Sequence, residues 1–159
     1  MRTIWAPWRM EYILSDKEKE CIFCVKPEEG RDRENLILHR GGRTFIIMNK
    51  YPYTNGHLMV VPYLHVSTLE DLPDEDIADM GRMTKYAVEC LRKAFHPEGF
   101  NVGINIGEAA GAGIEEHLHL HIVPRWAGDS NFMTVVGEVR VVPEHILETY
   151  DKLFPVFNP

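Results

Sequence analysis

Cysteine is scarce: three occur in 159 residues, and so low and odd a count argues against a disulfide scaffold and for a reducing compartment. No apolar run reaches the roughly 20 residues that a membrane helix needs, and the opening MRTIWAPWRMEYI lacks a signal-peptide core. Positive charge is in deficit. The 17 Lys and Arg stand against 24 Asp and Glu, giving a net charge of −7 at pH 7 and a pI near 5.6. That balance argues against a nucleic-acid backbone as partner. Internal repeats, low-complexity tracts and interdomain linkers are missing too. What is present is ordinary for a folded domain, with 45% apolar and 26% charged residues. The expectation is one soluble, cytoplasmic domain over residues 1–159 that binds neither nucleic acid nor membrane.

The order of elements follows from periodicity. Residues 1–20 form an arm rich in large side chains (Ile4, Trp5, Trp8, Met10, Tyr12, Ile13), which must pack on its own domain or on a second subunit. Its end, 15–20, is polar and reads as a turn leading to Cys21. NLILH (35–39) and RTFIIMN (43–49), split by Arg40-Gly41-Gly42, predict a β-hairpin. HLMVVP (57–62) predicts a third strand stopped by Pro62. Over 74–95 the period changes: Ile77, Met80, Thr84, Ala87, Val88, Leu91 and Phe95 recur at helical steps behind Pro73 and three acidic residues. FNVGINI (100–106) and HLHLHIV (117–123) predict two further strands around a glycine-rich loop, 107–113. Pro143 then opens a short helix with Ile146, Tyr150 and Leu153 inward. The fold class expected is α+β, an antiparallel sheet of about five strands with one long helix and a short C-terminal one.

The most informative stretch is His117-Leu118-His119-Leu120-His121-Ile122-Val123-Pro124. Alternation along a strand puts three imidazoles on one face and Leu118, Leu120 and Ile122 on the other, a pattern that packing alone does not explain. Two chemistries compete. Neighbouring histidines at i and i+2, here His117 and His119, can hold a zinc ion as in a metal hydrolase. Alternatively one imidazole attacks phosphorus while its neighbours donate hydrogen bonds to an anionic substrate. The adjacent loop Gly107-Glu-Ala-Ala-Gly-Ala-Gly113 lets backbone amides approach phosphate oxygens, although it is not a Walker sequence. Loop and histidines together favour phosphate chemistry. Cys21-Ile22-Phe23-Cys24, taken alone, is a zinc half-site, a redox pair or two thiols by chance.

HLHLHIVP resembles the histidine triad motif of the HIT superfamily of nucleotide hydrolases and transferases. RTFIIMNKYPYTNGHLMVVP resembles that family's nucleotide-binding hairpin with its Gly-His strand, and HIVPRWAGDSNF resembles the Fhit-like branch. WAPWRMEYI with CIFC looks like bacterial and archaeal members related to diadenosine tetraphosphate phosphorylases. The resemblance covers about residues 4–134, with the domain core at 21–134 and 135–159 as an extension.

The resemblance implies an enzyme that cleaves a nucleotide phosphoanhydride at the α-phosphate, as a hydrolase or phosphorylase of diadenosine polyphosphates. His119 is then the nucleophile that forms a covalent nucleotidyl-histidine. His121 steadies the developing charge at the phosphate, and His57 stands near it from outside the triad. Asn49 binds ribose hydroxyls and Asn105 the α-phosphate, although the loop here is one residue longer than in relatives. Phe23 and Ile47, with Ile22 beside them, form the base slot. Many relatives carry Ser or Thr ahead of the triad where this chain has Gly111-Ala112-Gly113-Ile114. The amides of Ala112 or Gly113 would replace that hydroxyl. Trp126 is expected to stack on the second nucleoside or close a subunit interface, and Arg125 to meet distal phosphates or stand as a surface arginine. The resemblance completes a structural zinc site as Cys21, Cys24, His65 and His117. Magnesium can arrive on the nucleotide, and relatives form homodimers through the long helix and a central strand, giving one continuous sheet across the dimer. A nucleotide-binding, zinc-stabilised interaction protein with little turnover is the alternative. Glu115 and Glu116 read as a solvated turn, Cys90 as core, and His39, His96 and His145 as exposed.

Overall fold

The structure, a computed structural model, describes residues 20–129 and 144–159. The aromatic arm, most of the 15–20 turn and Pro143 lie outside the described residues. Two short helices open the chain, α1 (Ile22–Glu28) and α2 (Asp32–Asn35). The sequence reading has no helix here, because seven and four residues are too few to display a helical period.

β1 (Ile37–Arg40) and β2 (Thr44–Met48) form the expected hairpin. Its turn passes so close to the long helix that a Cβ on Gly41 would collide with Met83 Cε. β3 (Leu58–Pro62) pairs with β2 along its whole length. α3 (Asp74–Phe95) spans the range that its periodicity predicts, and β4 (Gly99–Ile104) and β5 (Leu120–Arg125) follow. All pairings are antiparallel, in the order β1-β2-β3-β5-β4. α3 crosses β2, β3 and β5, while α4 (Ile146–Phe157) packs on α3 and β1. His145 caps α4 by accepting from the Leu147 amide. Ile146 is half-buried, and Tyr150 and Leu153 are buried as expected. The α+β class with five strands is the observed architecture.

β2 and β3 are buried at every position, so both of their faces are covered and they read as continuous apolar runs. Phe45, Ile46, Ile47, Leu58, Val60 and Val61 share one buried core with Met80, Ala87, Cys90 and Leu91 of α3 and Leu153 and Phe157 of α4. Burying one such side chain is worth about 1.5–3 kcal/mol, so the two central strands anchor the fold. Among the described residues no helix is long and apolar enough to cross a membrane.

One element starts later than expected. The strand read as 117–123 runs from 120 to 125, so His117 and His119 precede the ladder. Pro62 ends β3 without an amide to continue the pairing. Its carbonyl accepts from His117 Nε2 instead (2.8 Å), and the Leu118 amide donates to Val66 O (2.7 Å).

Candidate functional site

Four donors converge beside the start of α1. The first helical turn, closed by the Cys24 and Val25 amides on Cys21 O, brings Cys21 and Cys24 to one helix end. His65 comes from the segment after β3 and His117 from the segment before β5. His117 Nδ1 lies 3.3 Å from Cys21 Sγ, 3.6 Å from Cys24 Sγ and 3.2 Å from His65 Nδ1, and Cys24 Sγ lies 3.3 Å from His65 Nδ1. The four ligand atoms all lie within 4.8 Å of one another. Two thiols and two imidazoles at this spacing are a tetrahedral donor set, so these residues can hold a metal ion, and zinc suits the donors. The Pro62 carbonyl takes His117 Nε2–H and so frees Nδ1 as a ligand. Without a cation, burial and the neighbouring Cys21 push the Cys24 thiol up to about 11, and burial lowers the basicity of His117. A bound cation reverses both pressures.

A second group of histidines starts two residues further on. His119 is 4% exposed, and its Nδ1–H donates to His117 O at 2.8 Å, which leaves the lone pair on Nε2. Burial holds its basicity below the ordinary imidazole range. His121 follows with its ring centroid 4.8 Å away. Its Nδ1 lies 2.9 Å from His57 Nε2. The Tyr53 amide donates to His57 Nδ1 (3.1 Å), and Asn49 Nδ2 stands 3.4 Å from the same nitrogen. His57 must therefore donate through Nε2–H, His121 must accept at Nδ1, and His121 keeps its proton on Nε2. Burial, then the neighbouring His119, pushes His121 down to about 4, so it is neutral at pH 7. The group thus offers a neutral imidazole lone pair beside an imidazole N–H donor, the pairing that attack on an anhydride phosphorus requires.

The other predicted residues fall in several places. Phe23, 1% exposed, packs its ring 5.1 Å from His119 and 5.5 Å from His117. Ile47 is equally buried in β2, and Ile22 is half-buried. Asn49 is half-buried beside His57, and its Oδ1 accepts from the Tyr51 amide. Asn105 is half-buried just past β4. The loop after it forms a 3-10 turn at Glu108–Ala110, and the Ala112 amide donates inside it to Gly107 O (3.3 Å), with Gly113 exposed. Trp126 is half-buried just beyond β5. Arg125 forks onto Asp129 and reaches Asn101 Oδ1. Glu115, Glu116, His96 and His145 are exposed and Cys90 is buried, as expected. His39 departs from its reading: it is half-buried, with its ring 5.1 Å from Tyr86 and Nδ1 3.4 Å from Asn158 Oδ1. Expected as exposed, it is covered because α3 and α4 meet over β1.

Two contributors carry no signal in the sequence. Tyr53 reaches the histidines through a loop, with its ring 4.5 Å from His57. Pro62 acts through its carbonyl, which no residue type reveals.

The sequence matches the HIT domain family over residues 31–128. The chain belongs to the HIT family. An AP-4-A phosphorylase of Mycobacterium tuberculosis is 40% identical to this HIT protein over 158 residues, 94% of this chain and 80% of its own length. A zinc-bound histidine triad family protein from Mycobacterium smegmatis has a TM-score of 0.72 at 29% identity, covering 87% of this chain and 94% of its own. A Plasmodium falciparum diadenosine triphosphate hydrolase shares the fold at a TM-score of 0.62 and 18% identity, over 79% and 76% of the two chains. The expectation of a HIT-family enzyme agrees with these relatives.

Proposed function

We propose that this HIT protein cleaves a dinucleoside polyphosphate, such as diadenosine tetraphosphate, at an α-phosphate. His119 Nε2 attacks the phosphorus: a N–P bond forms, the bridging P–O bond breaks, and the electron pair leaves with the polyphosphate. His121 Nε2–H donates a hydrogen bond to oxygens that gain charge in that step. Phosphate or water then attacks the nucleotidyl-histidine, and the N–P electron pair returns to Nε2. The observation that carries this reading is the pair of opposite tautomers, set by the His117 carbonyl on one side and His57 on the other.

Zinc on Cys21, Cys24, His65 and His117 is the structural ion in this reading, and it supplies a rigid cross-link between α1 and the segment before β5. Splitting of His117 and His119 between two groups speaks against a metal hydrolase on that pair. Asn49, beside His57, serves the ribose; Asn105 and the 107–113 loop, Gly113 more than Ala112, serve the phosphate. Phe23 and Ile47 border the base slot from the core side. Homodimerisation through the sheet edge draws support from β4, an edge strand with Asn101, Val102 and Gly103 exposed.

The test is product analysis of diadenosine tetraphosphate turnover with and without inorganic phosphate. ADP plus ATP formed only with phosphate makes the protein a phosphorylase. AMP plus ATP in both tubes makes it a hydrolase. No product in either overturns the reading in favour of a nucleotide-binding protein. Acid-labile AMP on His119 by peptide mass spectrometry checks the covalent step.

A further inference from the structure

Aromatic rings on a protein surface usually lie flat on apolar neighbours, and eight large apolar side chains are exposed among the described residues. Two of these, Tyr51 and Tyr53, stand in the seven-residue loop that separates Asn49 from His57. The loop is tied to the reactive group at several points. The Tyr53 amide donates to His57 Nδ1, the Tyr51 amide to Asn49 Oδ1, and Thr54 Oγ1 to Pro124 O (2.9 Å). These bonds hold the Tyr53 ring over both partner histidines. Its centroid is 4.5 Å from His57 and 6.0 Å from His121, and it lies nearly parallel to His121 at 22°. Even so, Tyr53 stays 42% exposed. The same loop carries Lys50, an ammonium 5.9 Å from the Tyr51 centroid.

His121 is the donor assigned to the charge that develops as the leaving polyphosphate departs. A ring fixed beside it, still reached by solvent, is placed where the leaving half of a substrate must pass. We infer that Tyr53 is the stacking plate for the leaving nucleoside and sets the preference for substrates that carry a second base. This rests on the proposed cleavage at the α-phosphate. Stacking of a base on an aromatic side chain is tolerant of base identity, so the preference is for a base of any kind rather than for adenine.

The experiment compares Tyr53→Phe, Tyr53→Leu and Tyr53→Ala with the wild type on two substrates. One is diadenosine tetraphosphate; the other is an adenylyl ester whose leaving group has no base. Tyr53→Phe keeps the ring, Tyr53→Leu keeps apolar bulk over His121, and Tyr53→Ala keeps neither. Expected is a loss of about tenfold in kcat/KM on the dinucleotide, mainly in KM, for Leu and Ala, with Phe close to wild type. On the base-free substrate Tyr53→Leu loses much less, so the ratio of the two kcat/KM values falls about tenfold. Equal losses on both substrates overturn the plate and leave Tyr53 a prop for His121; no loss on either overturns any role. Binding of the methylene-bridged analogues of diadenosine tetraphosphate and of ATP to the wild type and the same variants separates this inference from the activity. If the wild type binds them without turning over the parent compounds, the cleavage reading fails. The plate then stands only if Tyr53→Leu weakens the dinucleotide analogue about tenfold and spares the other. If neither analogue binds the wild type and no parent compound is turned over, both readings fall.

Discussion

His117 and His119 are two residues apart, both buried, and each gives one ring nitrogen to a backbone carbonyl. They differ in which nitrogen is given. His117 gives Nε2–H to Pro62 O, so its Nδ1 faces two thiols and His65. His119 gives Nδ1–H to His117 O, so its Nε2 is left as the lone pair beside His121. One imidazole thereby turns its open nitrogen to a cluster that can hold a metal ion, and its neighbour turns a lone pair to the group proposed to attack phosphorus. What surrounds each reinforces the split: sulfur and imidazole donors around the first, a string of histidines anchored by the Tyr53 amide around the second. Residue type is the same; the backbone decides.

The largest expected effect comes from removing the proposed nucleophile. His119→Ala should lower kcat on diadenosine tetraphosphate by at least about a thousandfold while circular dichroism and nucleotide binding persist. Retained turnover would place the attack elsewhere and erase the division between the two histidines. The matching change in the first group, Cys24→Ser, should act on stability first. Loss of bound zinc by atomic emission should go with a fall in Tm of about 10 °C, on the order of 3 kcal/mol at 2–4 °C per kcal/mol. Unaltered zinc content and Tm would remove the metal from this group.

His57→Gln tests whether the second group works as a string. With the donor to His121 Nδ1 replaced, kcat should drop by roughly a hundredfold with little change in Tm. An unchanged kcat means that His121 needs no partner to hold its tautomer.

The pH dependence of stability should distinguish His121 from an exposed histidine. Its folded pKa is pushed down to about 4 against 6.5 for an unperturbed imidazole. The unfolded chain therefore binds the proton more readily, and stability contributed by neutral His121 is full above pH 6.5 and is lost as pH falls towards 4. Urea midpoints of wild type and His121→Gln should diverge over that window, with the wild type falling more steeply. Parallel curves would show that burial does not hold His121 neutral.

The smallest effect lies where the C-terminal helix meets the loop. Thr149, 1% exposed, places Oγ1 2.9 Å from Asn55 Oδ1 and 2.7 Å from Glu144 Oε2. Thr149→Val should cost about 1 kcal/mol in chemical denaturation. It should lower kcat without changing zinc content, since only the second group leans on that loop. A change in zinc content instead would show that the two groups are not separable.

Much of the architecture is legible in the chain. The α3 range appears in full because twenty-two residues give its period several repeats, and the hairpin appears because Gly41 and Gly42 interrupt two apolar runs. The short helices α1 and α2 escape because neither completes enough turns to repeat a pattern. His39 reads as a turn residue and is half-buried, since α3 and α4 close over β1 from far along the chain. The start of β5 is misplaced by three residues because alternation at 117–119 mimics a strand, whereas there the Leu118 amide turns to Val66 O and the His117 ring to Pro62 O.

By itself the amino-acid sequence determined the chemistry available here: eight histidines, three concentrated at two-residue spacing, two thiols three apart, and too little positive charge for a polyanion surface. Side-chain type and local periodicity carry that information, because they depend on neighbours within a few residues. Tertiary structure alone decided which nitrogen of each imidazole is open. That choice is made by the Pro62 carbonyl, the His117 carbonyl and the Tyr53 amide. Every residue type presents such backbone groups, so only their positions after folding decide which ring nitrogen stays open to a ligand or a substrate.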